Sequence, residues 1–203
     1  MSSNILIARQ GLAPLLVLAL GAILVMHFIG FAESLFFWGL ALLVLVIFRD
    51  PERQILSQPL SVLSPADGRV MAVEQTQDPY LQRPCVRISI DMHPYGVFTT
   101  RSPVEGKVLE PPRAPVDAKN PHGVWLQTDE GDDIVLVMNK GRLHNKPQCY
   151  VRFGDRIGQG KRCGFVHLGG RIEVFLPGDS LPVVAPGSTV RAGADAIASL
   201  KHV

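Results

Sequence analysis

The apolar positions divide the chain into two unlike parts. Between Arg9 and Arg49 the one formally charged side chain is Glu33, and apolar residues run almost unbroken. As a helix rising about 1.5 Å per residue, Leu12 to Ala32 would reach about 31 Å, enough for a hydrocarbon core of ~30 Å. Leu35 to Phe48 would reach only about 21 Å, short of a full span. Phe36, Phe37 and Trp38 near its start suit a membrane interface. The pattern predicts an apolar α-helical hairpin over residues 1–50. It turns near Gly30–Ser34 and either spans a bilayer or dips into one leaflet. Arg9 and the Arg49–Arg53 cluster would then share the cytoplasmic side. A cleaved signal peptide fits less well, because the stretch is long and doubled and no small-x-small site precedes Phe48. A buried soluble helical hairpin is the other alternative.

From Pro51 onward the period changes. Short apolar runs alternate with Gly- and Pro-rich turn signals, and no helical period persists. Strands are predicted at Val70–Val73, Val86–Ile90, Gly123–Leu126, Ile134–Val137, Cys149–Phe153, Cys163–His167, Ile172–Leu176 and Pro182–Ala185. Such spacing argues for a mainly β domain over 51–203, a sandwich or barrel-like body.

Two internal echoes mark this body. Ser64-Pro-Ala-Asp-Gly-Arg-Val70 recurs as Ser102-Pro-Val-Glu-Gly-Lys-Val108. Each reads as a Pro-initiated turn, closed by Gly, that launches a strand. Phe153-Gly-Asp-Arg-Ile-Gly-Gln-Gly160 recurs loosely as Pro186-Gly-Ser-Thr-Val-Arg-Ala-Gly193. Paired turns of this kind resemble lipoyl-like hairpins of biotinyl and lipoyl carriers. Lys161 does not sit in a carrier's tip motif, so no carrier role follows. Asn120–Gly123 and Asp129–Asp133 read as hairpin loops. The acidic loop lacks the D-x-D-x-D-G calcium spacing and reads as a solvated turn.

Composition removes several classes. With 20 Lys plus Arg against 18 Asp plus Glu, the net charge of +2 gives no basic face for nucleic acid. The apolar fraction of 47% with so little net charge argues against disorder. Cys85, Cys149 and Cys163 stand apart without CxxC spacing, so neither a disulfide framework nor a metal site is predicted.

Several segments, in order and over nearly the whole chain, resemble the short, pyruvoyl-dependent form of the phosphatidylserine decarboxylases. They are FRDPER (48–53), SPADGRV (64–70), RSPVEGKV (101–108), CYVRFGDRIGQGKRCGFVHLGGRIEVFLP (149–177) and VAPGSTVRAGADAIA (184–198). The resemblance implies a β domain on the cytoplasmic side of a bacterial inner membrane. It implies a phospholipid partner of the phosphatidylserine or phosphatidylethanolamine type, and loss of the serine carboxylate as the reaction. It also implies a pyruvoyl group, formed when a chain serine attacks the carbonyl before it. That group takes the substrate amine as a Schiff base and acts as an electron sink.

The family places this serine in a Gly-Ser pair, and here the pair is Gly169-Gly170. Gly170 has no hydroxyl, so no pyruvoyl cofactor is expected. The family also carries an Asp-x-His before the Pro of its RxPxxG element. The ungapped register puts Gly96 and Phe98 at those places; a gapped register would use Asp91-Met92-His93. In the family the Asp of the SPADG motif orients a His, so Asp67 is the matching position, and its plain reading is a turn residue. Ser188, in PGSTVRAG, imitates a cleavage serine but reads as a turn serine. His167 is placed to act as a base or to pack in the core, and His144 reads as exposed.

Three readings follow. The first is a non-processing pseudoenzyme that binds headgroups, with Arg101 and Arg171 as candidate ligands, or that serves a protein partner, as a homo- or hetero-oligomer. The second is an active decarboxylase whose serine is altered in this chain. The third is a membrane-anchored structural module.

Overall fold

The two apolar blocks fold as α1 (Arg9–Phe28) and α2 (Phe31–Ile47). The computed structural model describes residues 8–51, 53, 55, 60–110, 122–142 and 144–201. The chain divides into two compact units, Met1–Glu52 and Arg53–Val203. In the first unit the reversal falls at Ile29 and Gly30, earlier than the predicted Gly30–Ser34. Ser34 lies inside α2, where its hydroxyl donates to the Phe31 carbonyl at 2.7 Å. A serine satisfied by its own helix need not break it.

The helix pair is packed inside out. Ala22, Ser34 and Ala41 are buried, while Leu16, Val17, Leu20, Leu24, Phe28, Phe36 and Leu42 are exposed. At Gly21 the Phe37 ring packs 3.5 Å from where a Cβ would stand. Small residues in the seam and large apolar ones outside are a pattern that helix pairs in lipid also show. A water-soluble pair reverses it. By length and composition Gln10–Phe28 can cross a bilayer, and Phe31–Ile47 is shorter.

The second unit is built of strands. The first are β1 (Ser61–Leu63), β2 (Gly68–Gln77), β3 (Pro84–Met92), β4 (Thr99–Arg101) and β5 (Gly106–Leu109). Next come β6 (His122–Gln127), β7 (Asp133–Gly141), β8 (Gln148–Cys149), β9 (Arg156–Ile157) and β10 (Arg162–Phe165). The last are β11 (Gly170–Pro177), β12 (Leu181–Pro182), β13 (Thr189–Val190) and β14 (Ala196–Ser199). They form an open sheet in the order β13-β2-β3-β11-β7-β6-β5-β9, and two small sheets, β1-β14-β12 and β4-β10-β8. Val62 of β1, Ile197 of β14 and Cys163 of β10 share one buried cluster with Val70, Ile90, Met138 and Ile172 of the large sheet. The body is therefore mainly β and sandwich-like, without a closed barrel.

The sequence echoes are structural. Leu63 donates to the Pro103 carbonyl and Arg101 to the Pro65 carbonyl, both at 2.9 Å. These are the same bond made in both directions between the two SPxxG segments. The Ser64 carbonyl accepts from Gly193, and the Ser102 carbonyl accepts from Gly160, each at 2.8 Å. Gly154 and Gly187 have φ of 90° and 93°; Gly160 and Gly193 have 71° and 70°. Both SPxxG glycines start their strands as predicted, because a Cβ there would meet backbone. It would stand 2.2 Å from the Asp91 carbonyl at Gly68 and 2.3 Å from the Gln127 carbonyl at Gly106.

Three expected strands are shortened. Of Cys149–Phe153 only Cys149 is in a strand, since the Arg152 amide donates to the Asp155 carboxylate at 2.7 Å and Gly154 turns the chain. His167 lies in a turn beyond β10, and Pro182–Ala185 keeps only Pro182. The 129–133 loop is the β6–β7 hairpin, closed by Thr128 donating to the Asp132 carbonyl. Of the other expected loop, Asn120 and Pro121 lie outside the described residues, while His122 and Gly123 are not loop but the start of β6, paired with β7.

Candidate functional site

One end of the large sheet is marked by glycines. There β2 begins at Gly68, β3 ends at Met92, β7 ends at Gly141 and β11 begins at Gly170. The segments flanking these ends bring Asp67, His93, Gly96, Gly169 and Gly170 into one neighbourhood. A Cβ on Gly96 would stand 3.3 Å from His93 and 3.6 Å from the Asp67 side chain; one on Gly169 would stand 3.1 Å from Met92.

Gly170 faces Gly141 across the β11–β7 pair. A Cβ on Gly170 would meet the Lys140 carbonyl at 3.0 Å, Val166 Cγ1 at 3.1 Å and Gly141 Cα at 3.3 Å. One on Gly141 would lie 2.4 Å from the His167 carbonyl. The two glycines thus allow a close backbone approach. The turn before Gly170 is closed by Gly169 donating to the Val166 carbonyl at 3.1 Å. Leu168 and Gly169 are both left-handed, at φ 55° and 72°. Holding a leucine there costs about 1–2 kcal/mol.

Asp67 has both carboxylate oxygens engaged. One accepts from the Arg53 guanidinium at 2.6 Å and the other from the Ala192 amide at 2.7 Å. The carboxylate ties the segment after Glu52 to the C-terminal pseudo-repeat. Phe98, 3% exposed, sets its ring edge-on to Phe165 at 6.3 Å, and Phe165 sits edge-on to His167 at 5.0 Å. His93 is exposed, and its Nδ1 accepts from the Tyr95 amide at 3.3 Å within its own loop. The buried Nδ1 of His167 has no hydrogen-bond partner among the described residues. His144 is exposed at φ 58°. Ser188 lies in a turn, its hydroxyl accepting from the Ala185 amide at 3.4 Å.

The two candidate headgroup arginines are not brought together. Arg101 is 6% exposed and donates to the Gly160 carbonyl at 3.0 Å. It fills the space between Gly160 and Gly193, matching glycines of the second echo, where a Cβ on Gly193 would lie 2.8 Å from its Cδ. Its place is interior. Arg171 stands exposed on the outer face of β11.

Arg142 and Arg69 were absent from the expected set. Arg142 donates to the Asp91 carboxylate and the Met92 carbonyl, both at 3.1 Å, and its amide donates to the Gly169 carbonyl at 3.0 Å. Arg69 donates to the Gly187 carbonyl at 3.0 Å. A sequence signal existed: Gly68-Arg69 and Gly170-Arg171 are both glycine–arginine pairs at strand starts. Among the described residues no cluster of His, Cys, Asp and Glu could hold a metal ion.

Comparison with known proteins agrees with the order of these segments. Residues 40–198 match the family model for phosphatidylserine decarboxylase. A phosphatidylserine decarboxylase proenzyme of Paraburkholderia xenovorans is 37% identical, covering 96% of this chain and 97% of its own length. A proenzyme of the same description from Nitrosomonas eutropha is 34% identical, over 97% of this chain and 96% of its own. A match of this extent makes the chain a member of the phosphatidylserine decarboxylase family.

Proposed function

We propose that this chain is a non-processing member of the family that stays at the membrane and binds phospholipid headgroups without decarboxylating them. Gly170 carries the reading. A pyruvoyl group requires a serine hydroxyl to attack the preceding carbonyl, and a β-carbon to become the methyl of the product. Gly170 has neither, and a β-carbon there would press on the backbone of Lys140 and Gly141. The residues present do not fit the group.

Two neighbours support the same reading. Asp67, the position that orients a His in the family, spends its carboxylate on Arg53 and Ala192. In the ungapped register the place of that His holds Phe98, a buried ring with no proton to give or take. In the gapped register His93 turns its Nδ1 to its own loop. The inside-out helix pair supports a bilayer location. Arg49 and Arg53 just beyond α2 support placing the β unit on the cytoplasmic side of a bacterial inner membrane.

The test is direct. The full chain is incubated in vesicles containing phosphatidylserine, and phosphatidylethanolamine is quantified by mass spectrometry. No product above protein-free vesicles is expected. Product accumulating in proportion to protein would overturn the reading. It would favour the second one, an active decarboxylase, for which the match to curated proenzymes speaks.

A further inference from the structure

The outer face of the large sheet holds a charge cluster that no step above uses. In register, Arg171 of β11 lies opposite Asp91 of β3, and Asp91 lies opposite Arg69 of β2. Side chains directly opposite on one face stand about 4.5–5.5 Å apart at Cβ. Arg142, just past β7, reaches the same Asp91 carboxylate at 3.1 Å. One guanidinium is therefore bonded to this carboxylate, and two more arginines stand opposite it in register.

Neighbouring carboxylates cancel only part of the excess, because two have an arginine each and two share one. Asp67 is paired with Arg53 at 2.6 Å, and Asp195 with Arg191 at 2.9 Å. Glu74 and Glu173 both pair with Arg87, at 2.7 and 3.6 Å. The Arg171 side chain has no hydrogen bond or ion pair among the described residues. Beside the cluster, in the loop after β3, Tyr95 is 82% exposed with its ring tilted against His93 at 6.2 Å. Like charges gathered on one face repel, and an opposing negative surface relieves them. An exposed tyrosine beside them suits a membrane interface, one end apolar and the other wet.

We propose that Arg69, Arg142 and Arg171, with Tyr95, form a docking face for an anionic phospholipid bilayer. The face rests on the membrane-bound reading above and specifies which surface of the β unit meets the headgroups. The guanidinium groups recognise phosphodiester oxygens. They stand at the ends of three strands and are exposed, which fits an extended surface of lipid phosphates better than one enclosed anion. Arg101 takes no part, since it is interior.

The test uses the full chain in nanodiscs of phosphatidylcholine, with or without phosphatidylglycerol, and follows amide hydrogen exchange. Phosphatidylglycerol is expected to slow exchange at His93–Phe98 and at Arg69. Each basic residue near an anionic leaflet is worth about fivefold in equilibrium. Arg171→Gln is therefore expected to cut the protection about fivefold, and Arg171→Lys to restore most of it. The Arg171 side chain bonds to nothing described, so both variants are expected to fold, which exchange in the β7 and β11 core will show. Equal exchange in the two discs would overturn the proposal. So would protection by inorganic phosphate in phosphatidylcholine discs, which would mark a small-anion site instead. The readout is independent of decarboxylation: product in the vesicle assay would remove the non-processing reading and leave the docking face standing.

Discussion

At the scale of single residues, the chemistry turns on Gly170. Its lack of a hydroxyl is legible without a structure, since the residue type alone decides whether a serine attack can occur. The packing around it was not legible. The Lys140 carbonyl and Gly141 Cα stand close to where a β-carbon would be, so a serine is crowded as well as missing. With buried Phe98 at the ungapped place of the family's His, the Gly170→Ser variant is expected to remain one uncleaved chain on denaturing gels after prolonged incubation. Appearance of a C-terminal fragment in that variant would show that the remaining machinery is intact. Asp67 shows the same limit. The sequence places it in a turn, but its partners Arg53 and Ala192 lie 14 and 125 residues away. Arg101 misled for a physical reason: a basic residue is normally at the surface, and only the two matching glycines reveal the interior slot that holds it.

At the scale of elements, Gly and Pro punctuation was informative wherever a turn is closed by local bonds. Ser64 and Ser102 each donate a hydroxyl bond to the carbonyl two residues on, at 2.8 and 2.7 Å, and each turn feeds a strand at its glycine. The equivalence of these elements makes a prediction. Gly68→Ala and Gly106→Ala each drive a β-carbon into a neighbouring strand's carbonyl. Each is expected to cost about 2 kcal/mol or more by urea unfolding, to a similar degree. At Gly123 nothing lies within 4 Å of an added Cβ. Gly123→Ala is expected to be neutral or slightly stabilising. A large loss at Gly123, or none at Gly68, would break the assignment. Strands two residues long, such as β8, β9 and β13, were illegible as strands because no apolar alternation can develop in them. They exist through pairing with distant segments.

At the scale of the whole molecule, the division into an apolar helical pair and a β body was plain from hydropathy and period. Sheet order was not, because β11 is placed between β3 and β7 by long-range pairing that no local pattern encodes. The shared core has a pH consequence. Burial pushes the Cys163 thiol up to about 12 from an ordinary 9.0. Burial, then Glu173 and Asp78, push the Tyr80 hydroxyl up to about 12 from 10.0. Both groups are neutral when protonated, so the unfolded chain ionises first as pH rises. Stability is thus complete below about pH 9 and declines from there toward pH 12. The urea midpoint is expected to fall between pH 8 and pH 10.5. An unchanged midpoint would mean that these groups are open to water.

The intact mass of the purified full chain tests the central claim most directly. One species near 22.1 kDa is expected, with no fragment and no keto N-terminus. Two species, with the smaller beginning at residue 170 or at Ser188, would contradict the non-processing reading, and the new N-terminal residue would identify the group that reacted.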